Sequence, residues 1–170
     1  MANNFPITKK YITEYGKSVE SEIKTRLKNY GRYASGKLLN SIKFRYYENK
    51  SSFSLQFAMN DYGKYIDKGV KGSKINRAGN TPYKYTNKMP PTKVFDRWII
   101  SKGIAPRDDK GKFKSRSSLK FAIARSVFLK GITPTNFFTI PTTRREKQFN
   151  NTIEKTMAQD LDNLAKGLNG

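Results

Sequence analysis

Residues 52–72, Ser-Phe-Ser-Leu-Gln-Phe-Ala-Met-Asn-Asp-Tyr-Gly-Lys-Tyr-Ile-Asp-Lys-Gly-Val-Lys-Gly, change their hydrophobic period part-way along, and that change leaves the fold few options. Phe53, Leu55, Phe57 and Met59 alternate with Ser54, Gln56, Ala58 and Asn60. Successive side chains of a strand point to opposite faces, so a period of two predicts a strand with one apolar face. From Asn60 the spacing becomes three and four. With Asn60 or Asp61 as cap, Tyr62, Tyr65 and Ile66 share one side of a short helical turn. Gly69 and Gly72 then stop the turn and release the chain into a basic loop.

The flanking sequence supplies partners for that strand. Ile42, Phe44 and Tyr46 alternate with Lys43 and Arg45, and the break at Glu48–Ser51 predicts a hairpin with 52–60. Residues 7–34 carry Ile7, Tyr11, Tyr15, Val19, Ile23, Leu27, Tyr30 and Ala34 at helical steps. Pro6 suits the first helical position. Gly16 costs that helix about 1 kcal/mol relative to Ala, and Gly31 ends or kinks it. Ser35–Ile42 offers a short amphipathic turn. Thr92 caps a helix over 93–102, with Val94, Phe95, Trp98 and Ile99 on one face and Gly103 at its end. Ser117 or Ser118 caps another that runs to Lys130, with Leu119, Ala122, Ile123 and Val127 as its stripe. Asn136–Pro141 reads as extended. The last helix, about 142–167, carries Phe149, Ile153, Met157, Leu161, Leu164 and Leu168. There is no internal repeat.

Two stretches lack a period. Residues 69–91 are punctuated by Gly and Pro and carry Lys71, Lys74, Arg77, Lys84 and Lys88. With only Val70, Ile75 and Met89 as large aliphatics, this loop is expected to be exposed and mobile, with Tyr83 and Tyr85 as anchors for a neighbour. Residues 104–116 form a second polar loop that turns at Asp109-Lys110-Gly111. At 170 residues the expectation is one α+β domain spanning 1–170. A small antiparallel hairpin sheet packs with a long N-terminal helix, two middle helices and a long C-terminal helix. The first and last helices close the core, with Leu161 inside it.

The chain contains neither Cys nor His, so thiolate and imidazole chemistry are unavailable. Asp108-Asp109 sits in a Lys-rich turn and reads as solvated. Ser21–Lys24 and Ser117–Lys120 match Ser-x-x-Lys without companion motifs. Gly63–Gly72 lacks phosphate-loop spacing. The expectation is a protein that is not an enzyme and takes no cofactor or metal. No apolar run approaches the roughly 20 residues that span a bilayer, and the N-terminus shows no apolar signal segment.

Net charge is +21. Residues 1–22 balance Lys9, Lys10 and Lys17 against Glu14, Glu20 and Glu22, and residues 148–170 are slightly acidic, so the excess lies in 23–147. Such a field favours nucleic acid or acidic proteins. Aromatics and cations interleave at 43–47 and 83–85, as base stacking and phosphate contact require. The alternation of Phe44 and Tyr46 equally describes the inner face of a strand.

Three short motifs occur in order: Ser35-Gly36-Lys37-Leu38-Leu39-Asn40-Ser41-Ile42, then Tyr62-Gly63-Lys64-Tyr65-Ile66-Asp67-Lys68-Gly69, then Gly131-Ile132-Thr133-Pro134 leading to Asn136-Phe137-Phe138. Over about residues 35–138 the chain resembles the tail-completion, or head–tail joining, family of tailed bacteriophages. Its members carry T/S-G-x-L-x-x-S-I, Y-A-x-Y-V-E-x-G-T and G-I-x-P-x-x-F. Gly63 stands where the family has Ala. Asp67 keeps the carboxylate, but Val70 replaces the Thr.

The resemblance implies a structural virion subunit, made in the host cytoplasm, in a homo-oligomeric ring at the neck or tail top. Its partners would be neck, portal-connector and tail proteins, with genome DNA in the channel and no membrane. It further implies Leu38, Leu39 and Ile42 as packing, Tyr62, Tyr65 and Gly69 as the corner, and Phe137 and Phe138 as an anchor. Together with the loop, the candidate interface is Tyr62, Tyr65, Asp67, Lys68, Lys71, Lys74, Arg77, Tyr83, Tyr85, Phe137 and Phe138. The alternative is a free basic nucleic-acid-binding protein.

Overall fold

The first N–H groups of a helix have no partner within it. Helix α1 (Pro6–Asn29) starts on a proline, which has no N–H to satisfy. The next two donors meet a carboxylate from the other end of the sequence. Ile7 N–H and Thr8 N–H donate to Asp160 Oδ1 and Oδ2 at 3.1 and 2.8 Å. Asp160 is 1% exposed, and its charge complements the positive end of the helix dipole.

The computed structural model describes residues 5–31, 36–49, 52–105, 107, 109–113 and 115–168. Ala34, Ser35, Lys50, Ser51, Asp108 and the side chain of Leu168 lie outside the described residues. After α1 come α2 (Lys37–Ser41), β1 (Lys43–Glu48), β2 (Phe53–Ala58), α3 (Gly63–Lys68) and β3 (Val70–Lys71). A 3-10 turn (Thr92–Phe95) leads into α4 (Asp96–Ser101), then α5 (Arg116–Lys130), β4 (Gly131–Ile132), α6 (Thr139–Arg144) and α7 (Glu146–Leu168). The fold is α+β, as the sequence patterning implied. Its residues group into two compact units: Met1–Arg26 with Ser41–Met59 and Phe137–Gly170, and Leu27–Asn40 with Asn60–Asn136.

In the first unit, β1 and β2 form the expected antiparallel hairpin, with Phe44 opposite Phe57 and Tyr46 opposite Leu55. Phe44 and Tyr46 are half-buried while Lys43 and Arg45 are exposed, so the strand-face reading of this aromatic pair holds. A lone two-stranded hairpin is marginal in water, and here α1 supports it. Gly16 is buried because a Cβ there would run into the Phe44 ring. The helix-propensity cost of this glycine is thus offset by close packing. Glu20 accepts from Phe44 N–H at 2.7 Å and from Lys24 Nζ at 2.5 Å. Lys9 pairs with Glu48 at 3.2 Å. Helix α7 is tied to α1 at two levels, Asp160 on the start of α1 and Phe149 against Tyr11 and Tyr15 (centroids 5.8 and 4.5 Å), and Arg145, just before α7, pairs with Glu22 at 3.0 Å.

In the second unit the buried apolar side chains are Leu27, Leu38, Val70, Ala78, Ile99 and Ala124. Lys120 bridges from α5 to Asp96 on α4 at 3.0 Å. The polar loop turns where expected: Arg107 donates to Gly111 O at 2.8 Å and lies over the Phe113 ring at 3.8 Å.

Several expectations are corrected. Helix α1 ends at Asn29, not at 34, and leaves Tyr30 exposed. Its buried line is Thr8, Ile12, Gly16, Val19, Ile23 and Leu27, which puts Tyr11 and Tyr15 at its flank. The residue at the cap position of α3 is Tyr62, not Asn60 or Asp61, and the Asn60 and Asp61 backbone carbonyls receive the first N–H groups of the helix. Thr92 is not a cap, because the chain enters a 3-10 turn there. Helix α5 is capped by Ser115, whose Oγ accepts from Ser118 N–H at 3.1 Å. Its buried residue is Ala124, and Ala122 is exposed. Residues 139–141 are helical, because Pro141 falls within the first turn of α6, where a missing N–H is no loss. The last helix breaks at Arg145, which serves Glu22 and Ser18 instead. Leu161 is 53% exposed; its neighbour Asp160 is the buried residue.

Asp160→Ala should therefore lower unfolding free energy by about 1–3 kcal/mol, since two backbone donors lose their acceptor. Leu161→Asp should stay within about 0.5 kcal/mol of the parent. Urea unfolding followed by circular dichroism measures both.

Burial acts to raise the pKa of Glu20, but hydrogen bonds from Lys24 and Phe44 N–H outweigh it and hold the carboxyl below its ordinary 4.5. A depressed folded value stabilises the protein above the unfolded pKa, and that stabilisation is lost as pH falls through the folded value. Glu20→Gln should thus be less stable than the parent at pH 7, with the gap closing as pH drops below about 4.5 in a urea series.

Candidate interaction groove

Helix α3 ends at Gly69 with φ 71°, and β3 begins on the next residue. Strand β3 pairs antiparallel with β4, Val70 opposite Ile132 and Lys71 opposite Gly131. The backbones here approach too closely for side chains. A Cβ on Gly69 would meet Ile132 O and Pro134 N; on Gly72, Leu129 O and Gly131 N; on Gly131, Val70 O and Gly72 N. Gly131 also ends α5 with φ 78°, a conformation that favours glycine. Just beyond, Thr135 Oγ1 donates to Ile66 O at 2.9 Å and Asn136 N–H to Asp67 O at 2.9 Å. The corner at 62–69 is thereby fastened to 131–136.

The stretch expected as a loop at 69–91 is mostly exposed, and from Gly69 to Tyr85 it is hydrogen-bonded to its surroundings. Ser73 N–H donates to Phe128 O, and Lys74 and Ile75 N–H donate to Leu129 O, so the free carbonyls at the end of α5 are satisfied. Thr81 Oγ1 donates to Gly69 O at 3.1 Å, and both Ala78 and Thr81 are buried. Lys71 N–H donates to Tyr83 O and Tyr85 N–H to Lys71 O, each at 2.9 Å. Small residues and backbone bonds thus replace the large aliphatics whose scarcity suggested mobility.

This ladder carries Tyr83 and Tyr85 to the corner. Tyr65 and Tyr83 meet edge to face at 4.6 Å between centroids, and Tyr85 lies 6.2 Å from Phe128. Tyr62, Tyr65, Tyr83 and Tyr85, with Ile66, Val70, Ile132 and three prolines, line a groove of about 700 Å³. Lys84 is the only cation in the lining, and Lys64 Nζ lies 5.3 Å from the Tyr65 ring centroid. Burial pushes the Tyr85 phenol above its ordinary 10.0. Chemically the groove presents flat apolar rings and phenolic tips. Among the described residues no group of three or more His, Cys, Asp or Glu is arranged to hold a metal ion.

Four of the residues selected from sequence, the tyrosines, are brought together. Lys68, Lys74 and Arg77 are exposed in the same unit, and Lys71 contributes its backbone to the ladder. Two selections are corrected. Asp67 is 2% exposed and Phe137 is fully buried, so neither offers a surface to a partner. Phe138 is half-buried in the other unit, edge to face with Phe57 at 6.4 Å. Sequence reasoning missed Pro82, Pro90, Pro91 and Ile132; the available signal was the run of prolines beside Tyr83 and Tyr85. It also placed Val94, Phe95, Trp98 and Ile99 together on one helix face. Val94 and Trp98 are exposed, as are Ile100, Phe113 and Phe121, and Ile99 alone of α4 is buried.

Comparison with protein-family models, with curated proteins and with solved structures finds no match to this chain.

Gly131→Ala should cost about 2 kcal/mol or more, because its Cβ meets backbone on the facing strand and its φ is strained. Gly79 also has a positive φ, 62°, but open space around it, so Gly79→Ala should cost only about 1 kcal/mol. Thermal unfolding of the two variants side by side checks the contrast.

Proposed function

We propose that this chain is a structural virion protein of a tailed phage, a subunit of the neck or tail-top ring that joins the portal-side connector to the tail around the genome channel. The observation that carries this reading is the bonding between two of the three motifs. Tyr62–Gly69 and Gly131–Phe137 are far apart in sequence, yet Thr135 and Asn136 donate to the carbonyls of Ile66 and Asp67. Glycines from both motifs stand where the backbones cross. Separated motifs that share one structural element support a common origin for that element better than either does alone. Leu38, from the first motif, is buried as packing.

Exposed Val94, Ile100, Phe113 and Phe121 add support, since large apolar side chains in water suit a subunit that neighbouring copies or neck proteins cover. The positive excess in 23–147 suits acidic neighbours or a passing genome. In this reading the protein works by assembly, without catalysis, cofactor or membrane.

Location is the test. Immunogold labelling of tailed particles that carry a tagged copy should mark the head–tail junction, and particles made without the protein should accumulate unjoined heads and tails. Absence from purified particles, together with duplex-DNA binding whose log–log salt slope reaches several units, would transfer the assignment to free nucleic-acid binding.

A further inference from the structure

We propose that the tyrosine–proline groove binds an extended, acidic, proline-containing segment of another protein; the choice of a separate protein as its source rests on the assembly reading above. Shape and hydrogen bonding favour an extended ligand. Among the described residues, none of the hydroxyls of Tyr62, Tyr65, Tyr83 and Tyr85 makes a hydrogen bond. A polyproline II segment has no internal hydrogen bonds, so its carbonyls are free to accept from such phenols, and its prolines pack on aromatic rings. A helix would arrive with most of its carbonyls already bonded. Adding a strand at β3 is blocked, because Lys71 pairs with Gly131 on one side and with Tyr83 and Tyr85 on the other.

Charge favours an acidic ligand. Lys84 lines the groove, Lys64 lies over the Tyr65 ring, and Lys68 and Lys88 are exposed. The only acids in residues 60–91 are Asp61 and Asp67, and Asp67 is buried. A single-stranded nucleic acid fits less well. The lining offers one cation, and Tyr65 and Tyr83 are packed edge to face, which leaves no parallel pair of rings for successive bases. A second copy of this chain fits poorly too. Its one stretch with a proline near two acids, residues 104–110, also carries Arg107 and Lys110.

Fluorescence anisotropy with the full chain and labelled peptides tests this. The probes are repeats of Pro-Pro-Glu, Pro-Pro-Lys and Gly-Gly-Glu, with oligothymidine as the nucleic-acid competitor. Pro-Pro-Glu should bind, and the other two peptides should bind about tenfold more weakly or less. Tyr62→Ala and Lys84→Glu should each reduce Pro-Pro-Glu affinity about tenfold. Both positions are exposed, so the far-ultraviolet spectrum and melting temperature should hold. Lys147→Glu, in the other unit, should bind as the parent does. The proposal is overturned if Pro-Pro-Glu does not bind at millimolar concentration, or if Gly-Gly-Glu or Pro-Pro-Lys binds equally well. Indifference to both groove variants, or displacement by oligothymidine at lower concentration than by unlabelled peptide, overturns it as well. Failure here leaves gold labelling at the neck unaffected, and absence of label from particles leaves the peptide affinity unaffected.

Discussion

Three glycines without room for a β-carbon hold the second unit's architecture together. Gly69, Gly72 and Gly131 let α3, the 69–91 stretch and the end of α5 approach until their backbones share carbonyls. The paired strands themselves are only two residues long, and so short a ladder contributes little alone. Its neighbours complete it: Thr135 and Asn136 on the corner, Tyr83 and Tyr85 on Lys71, and Ser73 to Ile75 on the last carbonyls of α5. The groove is the outer consequence of this crossing. Backbone bonds on either side of Tyr83 and Tyr85 give these half-buried rings a defined place beside exposed Tyr62 and Tyr65.

The first unit is held differently, by acids. In a chain with 34 Lys and Arg and 13 Asp and Glu, carboxylates are scarce. Several of them join elements to one another: Asp160 to the start of α1, Glu20 to β1, Glu22 to Arg145 and Glu48 to Lys9. Only Asp160 of these is buried; Glu20, Glu22 and Glu48 stay partly exposed, and each also pairs with a cation. The basic character of the exterior follows from composition, with the excess of Lys and Arg in residues 23–147.

Much of the fold was legible because it rests on local periodicity. Phe44, Tyr46, Leu55 and Phe57 announce a hairpin by alternation, and Gly131 announces a helix end by its place after Lys130. The tyrosine groove was half legible: Tyr62 and Tyr65 share a side at helical spacing, but nothing local brings Tyr83 to Tyr65. That depends on a backbone bond between Lys71 and Tyr83, which any residue types could make. Asp160 illustrates the opposite difficulty. Apolar spacing put Leu161 in the core and gave its neighbour no role beyond its charge. The reason for burying the acid lies at Ile7 and Thr8, where a helix needs acceptors. The bonding within residues 69–85 was not legible, because Ala78 and Thr81 fill their sites through small size and hydrogen bonding and large aliphatics are scarce there.

The bonds from Ile7 and Thr8 to Asp160 also set an order in time. A ribosome releases the chain N-terminus first, at roughly 5–20 residues per second, so α1 waits on the order of ten seconds for its acceptor. Every residue of the second unit has left the ribosome by then. During that interval the first N–H groups of α1 lack their carboxylate acceptor, although the β1–β2 hairpin is already there to pack on the helix. A chain broken off before residue 160 never leaves that state, so the start of the first helix registers whether synthesis has reached the last one.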